Sequence, residues 1–394
     1  MPSPAEQWIE EELAALERQG LRRTTQPLPA TGGRIPGAGP GGAPLLNFAS
    51  NDYLDLAHHP HVLETAAAAL RRYGAGATAS RLVSGTLDLH EELEARLAAH
   101  KGYPAALVAG SGYLTNTAAV PALVGRGDRI LADRLVHASL LDGALQSRAD
   151  LGRFRHNDPE HLRQLLARPA PTAGGRTLVL VESVYSMDGD VAPLAEIAAA
   201  TTAAGALLLV DEAHSAGVFG PAGSGLVRGL GLEAAVNLSM STLSKALGGY
   251  GGVIACSRPM RDWLVNRHRG FIYSTAPPPA VLGAALGALD VLAAEPDRGR
   301  LLLERAARFR ARLRAGGLDT GASASQIIPL MVGDNRRALD LARRLRAQGI
   351  LAGAIRPPTV PAGTARLRLS VTLAHTEADL EAAAQTILQT FNNG

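Results

Sequence analysis

The chain is almost without lysine. Only Lys101 and Lys245 occur in 394 residues, and every other basic side chain is arginine or histidine. Cysteine is scarcer still: Cys256 stands alone, which excludes an intrachain disulfide and a thiolate metal cluster. Blocks of like charge are missing and the formal net charge is only +3, so nothing tracks a nucleic-acid backbone. No stretch reaches the roughly 18 apolar residues of a membrane span. The first twelve residues are acidic and lack the apolar core of a secretory signal. The expectation is a soluble cytoplasmic protein that binds neither nucleic acid nor membrane and holds no metal.

What is present is ordinary globular composition, 46% hydrophobic and 19% charged, at a length that predicts two or three domains and a large core. The chemistry concentrates between Leu207 and Gly252. The apolar run Leu207-Leu208-Leu209-Val210 stops at Asp211-Glu212-Ala213-His214. A second run, Val236 to Ser241, leads into Thr242-Leu243-Ser244-Lys245 and the glycines of 248–252. Short apolar runs closed by polar residues read as buried parallel strands, and open α/β sheets bind ligands beyond the carboxyl ends of such strands. Asp211, His214 and Lys245 are therefore expected at one crevice. Val210 to His214 is also similar to a motif of DEAH-type helicases. That class needs a phosphate loop G-x4-G-K-[ST], and neither lysine sits in one, so the helicase reading fails. A pyridoxal phosphate site needs a lysine for the aldehyde and an aspartate for the pyridine nitrogen, and both are here. Lys101 closes a helical pattern before Gly102, where a lysine suits the helix end.

Along the chain the spacing predicts an amphipathic helix over 5–19, a Pro/Gly-rich loop over 27–44 and a strand over 45–49. Ala105 to Ala109 reads as a strand. Ser111-Gly112-Tyr113 then opens a helix whose first amides suit a phosphate. Strand and helix patterns alternate from 129 to 211, which argues a mostly parallel sheet covered on both faces. Pro277-Pro278-Pro279 breaks the chain, and long helices and short strands follow. The predicted organisation is an N-terminal arm over 1–44, a large domain over 45–278 and a smaller α+β domain over 279–394.

With those pieces in place, nearly the whole chain resembles the α-oxoamine synthases, pyridoxal phosphate enzymes of fold type I. The resemblance rests on Ser50-Asn51-Asp52-Tyr53-Leu54, Arg81-Leu82-Val83-Ser84-Gly85-Thr86, Asp133 to Ser139, Tyr185 to Asp190, Asp211-Glu212-Ala213-His214 and Thr242-Leu243-Ser244-Lys245, in this order. It implies a seven-stranded, mostly parallel sheet and a homodimer with shared active sites. It makes Lys245 the lysine that binds the cofactor covalently, Asp211 the partner of the pyridine nitrogen, His214 a contact near the ring hydroxyl and His137 the group stacked on the ring. Gly112, Tyr113 and Thr242 fall to the phosphate, Glu182 and Ser186 to cofactor contacts, and Ser274 and Thr275 to the phosphate of the partner subunit. Asn51, His137 and Arg368 fall to the substrate, Arg368 to the carboxylate of the amino acid. Asp55 departs from the family, in which glycine is expected. Within the family, residues 354–369 and 328–335 are similar to members that condense L-alanine with a pimeloyl thioester, carried on coenzyme A or acyl carrier protein. They differ from the glycine-using relatives. Arg22, Arg356 and Thr359 then become candidates for the carboxylate at the far end of the acyl chain. The other readings are a sibling synthase of different substrates and a catalytically inactive partner subunit.

Overall fold

A computed structural model describes residues 4–392. The described chain forms two compact units. One gathers the chain up to Asn51, the short Met187–Gly189 segment and the chain from Leu302 onward; the other holds Asp52–Ser186 and Asp190–Leu301.

The second unit is built on a seven-stranded sheet: β1 (Ala105–Ala109), β2 (Arg129–Asp133), β3 (Asp150–Phe154), β4 (Thr177–Glu182), β5 (Leu207–Asp211), β6 (Leu238–Thr242) and β7 (Gly252–Cys256), in the order β1-β7-β6-β5-β4-β2-β3. β7 runs antiparallel to both neighbours, and the other six strands run one way. Successive side chains on a strand face opposite sides, and here both sides are core. Leu178 and Leu180 pack with Ile130, Leu209 and Leu140 on one face; Val179 and Val181 pack with Leu131, Leu208 and Ile197 on the other. That is why the central strands read as unbroken apolar runs rather than as alternating ones. The register sets Glu182 opposite Asp211 and Thr242 opposite Gly252, which gathers the polar strand ends along one edge.

Two elements of this unit carry no clear mark in the sequence. Helix Pro60–Tyr73 packs on helix Pro279–Ala294 so closely that a Cβ at Gly283 or Gly287 would collide with Thr65. Strand β7 begins at the last residue of a glycine cluster that reads as a turn. No single described helix is long and apolar enough to cross a membrane.

In the first unit, an antiparallel sheet joins Ile327–Gly333, Ala365–Ser370 and Gly353–Ile355, and a smaller sheet joins Arg34–Ile35, Leu45–Asn47 and Ile350–Leu351. The predicted amphipathic helix is Gln7–Arg18, and Trp8 on it is 63% exposed in the single chain.

Candidate active site

The polar edge of the sheet carries the site. Lys245 follows β6 and is half-buried. Its Nζ lies 2.9 Å from His214 Nε2, and the Tyr53 hydroxyl lies 2.7 Å from His214 Nδ1. The imidazole is thus fixed at both nitrogens beside the amine. Asp211 ends β5 and is buried, with Asn116 Nδ2 donating to its Oδ2 at 2.7 Å and the Ala213 amide donating to its Oδ1 at 2.9 Å. Asn116 also donates to Ser139 Oγ at 2.9 Å, and Ser139 Oγ lies 2.8 Å from His137 Nδ1. Asp211, Asn116, Ser139 and His137 therefore form one hydrogen-bonded row from β5 across two helix starts.

Burial holds His137 below the usual histidine range; Asp211 pulls the other way and Lys245 reinforces the drop. Its ring is neutral at neutral pH. Glu182, at the end of β4, is fully buried, and burial together with the Asp211 charge holds its carboxyl well above the carboxylate range. Its Oε1 has no hydrogen-bond partner within the protein, so it is an orphaned polar atom at the edge where Asp211 lies.

Helix Gly112–Leu123 starts directly beyond β1, capped by Ser111 Oγ, which accepts from the Leu114 amide at 3.2 Å. The first turn of a helix leaves its amides without intrahelical acceptors, here those of Gly112 and Tyr113. A Cβ at Gly112 would stand 3.3 Å from that of Thr242, so the glycine lets the helix start lie against the end of β6. Thr242 Oγ1 in turn donates to the Gly251 carbonyl at 2.9 Å. Tyr113 is half-exposed and its hydroxyl donates to Asp142. Ser186 is buried. The chain at Ser274-Thr275 runs beside Ser80, which pairs with Thr275 as an isolated bridge.

These groups fit pyridoxal phosphate. A half-buried amine suits the aldehyde, a buried carboxylate suits the ring nitrogen, and a helix start with spare amides suits the phosphate. The orphaned Glu182 oxygen marks the same edge as ligand-facing.

In the first unit, Arg368 is buried and both Nη1 and Nη2 donate to Asn51 Oδ1 at 3.2 Å, with Ser370 Oγ at 3.1 Å from Nη1. Arg356 donates to the Gly20 carbonyl, and Thr359 Oγ1 accepts from Arg23 at 3.5 Å. Arg22 lies 3.8 Å from Glu17 and is 44% exposed. Asp55, the departure from the family pattern, adopts the left-handed conformation with φ 56°. Aspartate tolerates that region better than most side chains, and Asp52 secures the turn by accepting from the Leu56 and Ala57 amides at 2.9 and 3.2 Å.

Lys101 does more than close its helix. Its Nζ lies 2.8 Å from Glu212 Oε2 and donates to the Ser224 carbonyl at 3.3 Å, fully buried. Glu212 also accepts from Ser239 Oγ at 2.6 Å, the Val227 amide at 2.9 Å and Ser215 Oγ at 3.1 Å. The residue next to Asp211 is therefore a buried anchor for the segment that carries His214. Sequence periodicity places Lys101 on a helix but says nothing of a partner 111 residues away.

The fold and this edge define a pyridoxal phosphate enzyme of fold type I. The chain belongs to the class I and II aminotransferase family, whose model matches residues 43–387. It is 49% identical over 375 residues to 8-amino-7-oxononanoate synthase of Anaeromyxobacter dehalogenans, covering 95% of this chain and 93% of that protein. Identity to the Methylobacterium sp. enzyme of the same name is 50% over 376 residues, covering 95% and 94%. Among solved structures, serine palmitoyltransferase from S. paucimobilis aligns with a TM-score of 0.91 at 29% identity, covering 99% of this chain and 98% of that one. The 8-amino-7-oxononanoate synthase of Francisella tularensis aligns with a TM-score of 0.76 at 27% identity, covering 89% and 98%.

Proposed function

We propose that this chain condenses L-alanine with a pimeloyl thioester, releasing CO2 and the free thiol and giving 8-amino-7-oxononanoate, a step of biotin biosynthesis. The observation that carries the reading is the Lys245 amine set 2.9 Å from His214 on the edge that also holds Asp211, in a chain half identical to synthases of that name. Pyridoxal phosphate is the cofactor; when bound it supplies an aldehyde for the amine of alanine and a ring that takes up the electron pair left at Cα.

The residues divide the remaining work. Lys245 would hold the cofactor through its amine and, once free, would serve as the base for the Cα proton of alanine. His214, oriented by Tyr53, keeps that amine in place. Asp211 keeps the pyridine nitrogen protonated, and Asn116 and the Ala213 amide fix its carboxylate for that contact. Glu182, held protonated, adds no second negative charge beside Asp211. Neutral His137 would stack on the face of the cofactor ring. Gly112, Tyr113 and Thr242 take the phosphate side, Ser186 is a further cofactor contact, and Ser274 and Thr275 serve the partner subunit of a homodimer.

Arg368, with Asn51 aligning its two Nη atoms, takes the carboxylate of alanine; a planar guanidinium matches that group in bidentate fashion. Arg356, Arg22 and Thr359 read the carboxylate at the far end of the pimeloyl chain, which acetyl and palmitoyl chains lack. The test is a product assay with alanine, glycine and serine against acetyl-, succinyl-, pimeloyl- and palmitoyl-CoA. Alanine with pimeloyl-CoA should be preferred, and Arg356→Ala should lose kcat/KM for pimeloyl-CoA about 10- to 100-fold with little change in the KM for alanine. Preference for glycine with acetyl-CoA would move the chain to a ketobutyrate-forming sibling.

A further inference from the structure

The first unit contains a groove of about 990 Å³ between the N-terminal arm and helix Asn335–Ala347. Six arginines line it, Arg22, Arg23, Arg336, Arg343, Arg346 and Arg356, against two carboxylates, Glu17 and Asp340. In a chain of net charge +3 this is a local concentration of positive charge. The carboxylates reach only part of it: Glu17 lies by Arg22, and Asp340 pairs with Arg343. The other four guanidiniums are held by neutral oxygens. Arg336 donates to the Arg18 carbonyl, Arg346 to Gln26 Oε1 at 2.8 Å, Arg356 to the Gly20 carbonyl, and Arg23 to the Pro357 carbonyl at 3.4 Å. Among the described residues none of these four has a carboxylate within ion-pairing distance. Arg356 Nε is in addition buried without a hydrogen-bond partner. The cations are positioned but not neutralised, and burial and the nearby Arg23 already depress the basicity of Arg356.

With Arg356 and Arg22 assigned to the single acyl carboxylate, Arg336 and Arg346 remain on the helix wall. A ligand for them carries several negative charges, and the groove volume is that of a small-molecule site. We propose that the Asn335–Ala347 wall of this groove is an electrostatic landing surface for the phosphate groups of coenzyme A, which captures the acyl donor on approach. Capture precedes the reading of the acyl chain by Arg356 and does not compete with it. Walls of one charge sign raise association rates of oppositely charged ligands by about 10- to 1000-fold, and salt removes the gain.

This inference rests on a thioester donor but not on the pimeloyl chain, so the tests use coenzyme A with and without an acyl group. In wild-type holoenzyme, kcat/KM for pimeloyl-CoA should fall steeply with added salt, whereas kcat/KM for the pimeloyl thioester of N-acetylcysteamine, which has no phosphate, should stay nearly flat. The double variant Arg336→Gln/Arg346→Gln should lose on the order of 10-fold in kcat/KM for pimeloyl-CoA, keep kcat and the KM for alanine, and leave the phosphate-free thioester unaffected. Calorimetric titration with free coenzyme A should show the same weakening, independent of the acyl group. Equal salt slopes for the two thioesters, an equal loss on both in the double variant, or unchanged coenzyme A binding would each overturn the proposal. So would a loss confined to donor carried on acyl carrier protein.

Discussion

Lys101→Met is the sharpest test of how the site is supported. In the native chain Lys101 Nζ and Glu212 Oε2 are 2.8 Å apart, with side chains 3% and 1% exposed. Burial alone would raise the Glu212 carboxyl; the Lys101 charge and the surrounding hydrogen bonds outweigh it and hold the group below the usual range. Methionine fills a similar volume but removes the charge and the donor. Breaking a buried pair by deleting one partner costs about 3–5 kcal/mol, because the other charge stays buried without compensation. Three neutral donors remain on Glu212, from Ser239, Val227 and Ser215, which places the cost near the lower end, at about 3 kcal/mol. Urea denaturation of cofactor-free protein at one fixed concentration should show a lower midpoint at unchanged slope. Lys101→Met/Glu212→Gln should recover part of the loss, since the stranded charge is gone. Glu212 has a depressed folded value, so its contribution is full above its ordinary value of 4.5 and is lost as pH falls through the depressed one. A loss below about 1 kcal/mol, or a double variant no more stable than the single one, would refute the buried-anchor argument.

Two further outcomes are expected. Asp211→Ala should still bind some cofactor but lose on the order of 100- to 1000-fold in kcat, the scale of a missing preorganised charge contact; near-normal turnover would show that another group serves the pyridine nitrogen. His156 lies 2.9 Å from Asp133 and 2.7 Å from Asp190, and although burial opposes protonation, these two carboxylates hold it at about 10. Its stabilising contribution is therefore complete below pH 6.5 and lost as pH rises through about 10. The midpoint of thermal unfolding should drop across that alkaline window in the wild type, and the drop should be smaller in His156→Gln.

The parallel strands were legible because their buried faces leave nothing but apolar residues between polar ends: Thr177 to Glu182 and Leu207 to Asp211 announce both a strand and the edge where chemistry can sit. Lys245 was legible through scarcity. Strand β7 was not, because Gly252 belongs at once to a turn-forming cluster and to a ladder with Ala109 and Thr242. Asn116 lies on the helix that Ser111-Gly112-Tyr113 opens, but its two bonds, to Asp211 and Ser139, join segments 95 and 23 residues away. Lys101 is the same case: its helix is local and its partner is not. The arginine groove was hidden because its charges come from three separate stretches, each unremarkable alone.

The central claim is that Lys245, and not the other lysine of the chain, carries the cofactor. Borohydride reduction of the yellow holoenzyme, followed by digestion and mass spectrometry of the peptides holding Lys101 and Lys245, decides it. A reduced pyridoxyl group on Lys245 alone is predicted. A label on Lys101, or a protein that stays colourless and unlabelled when supplied with pyridoxal phosphate, would contradict the account.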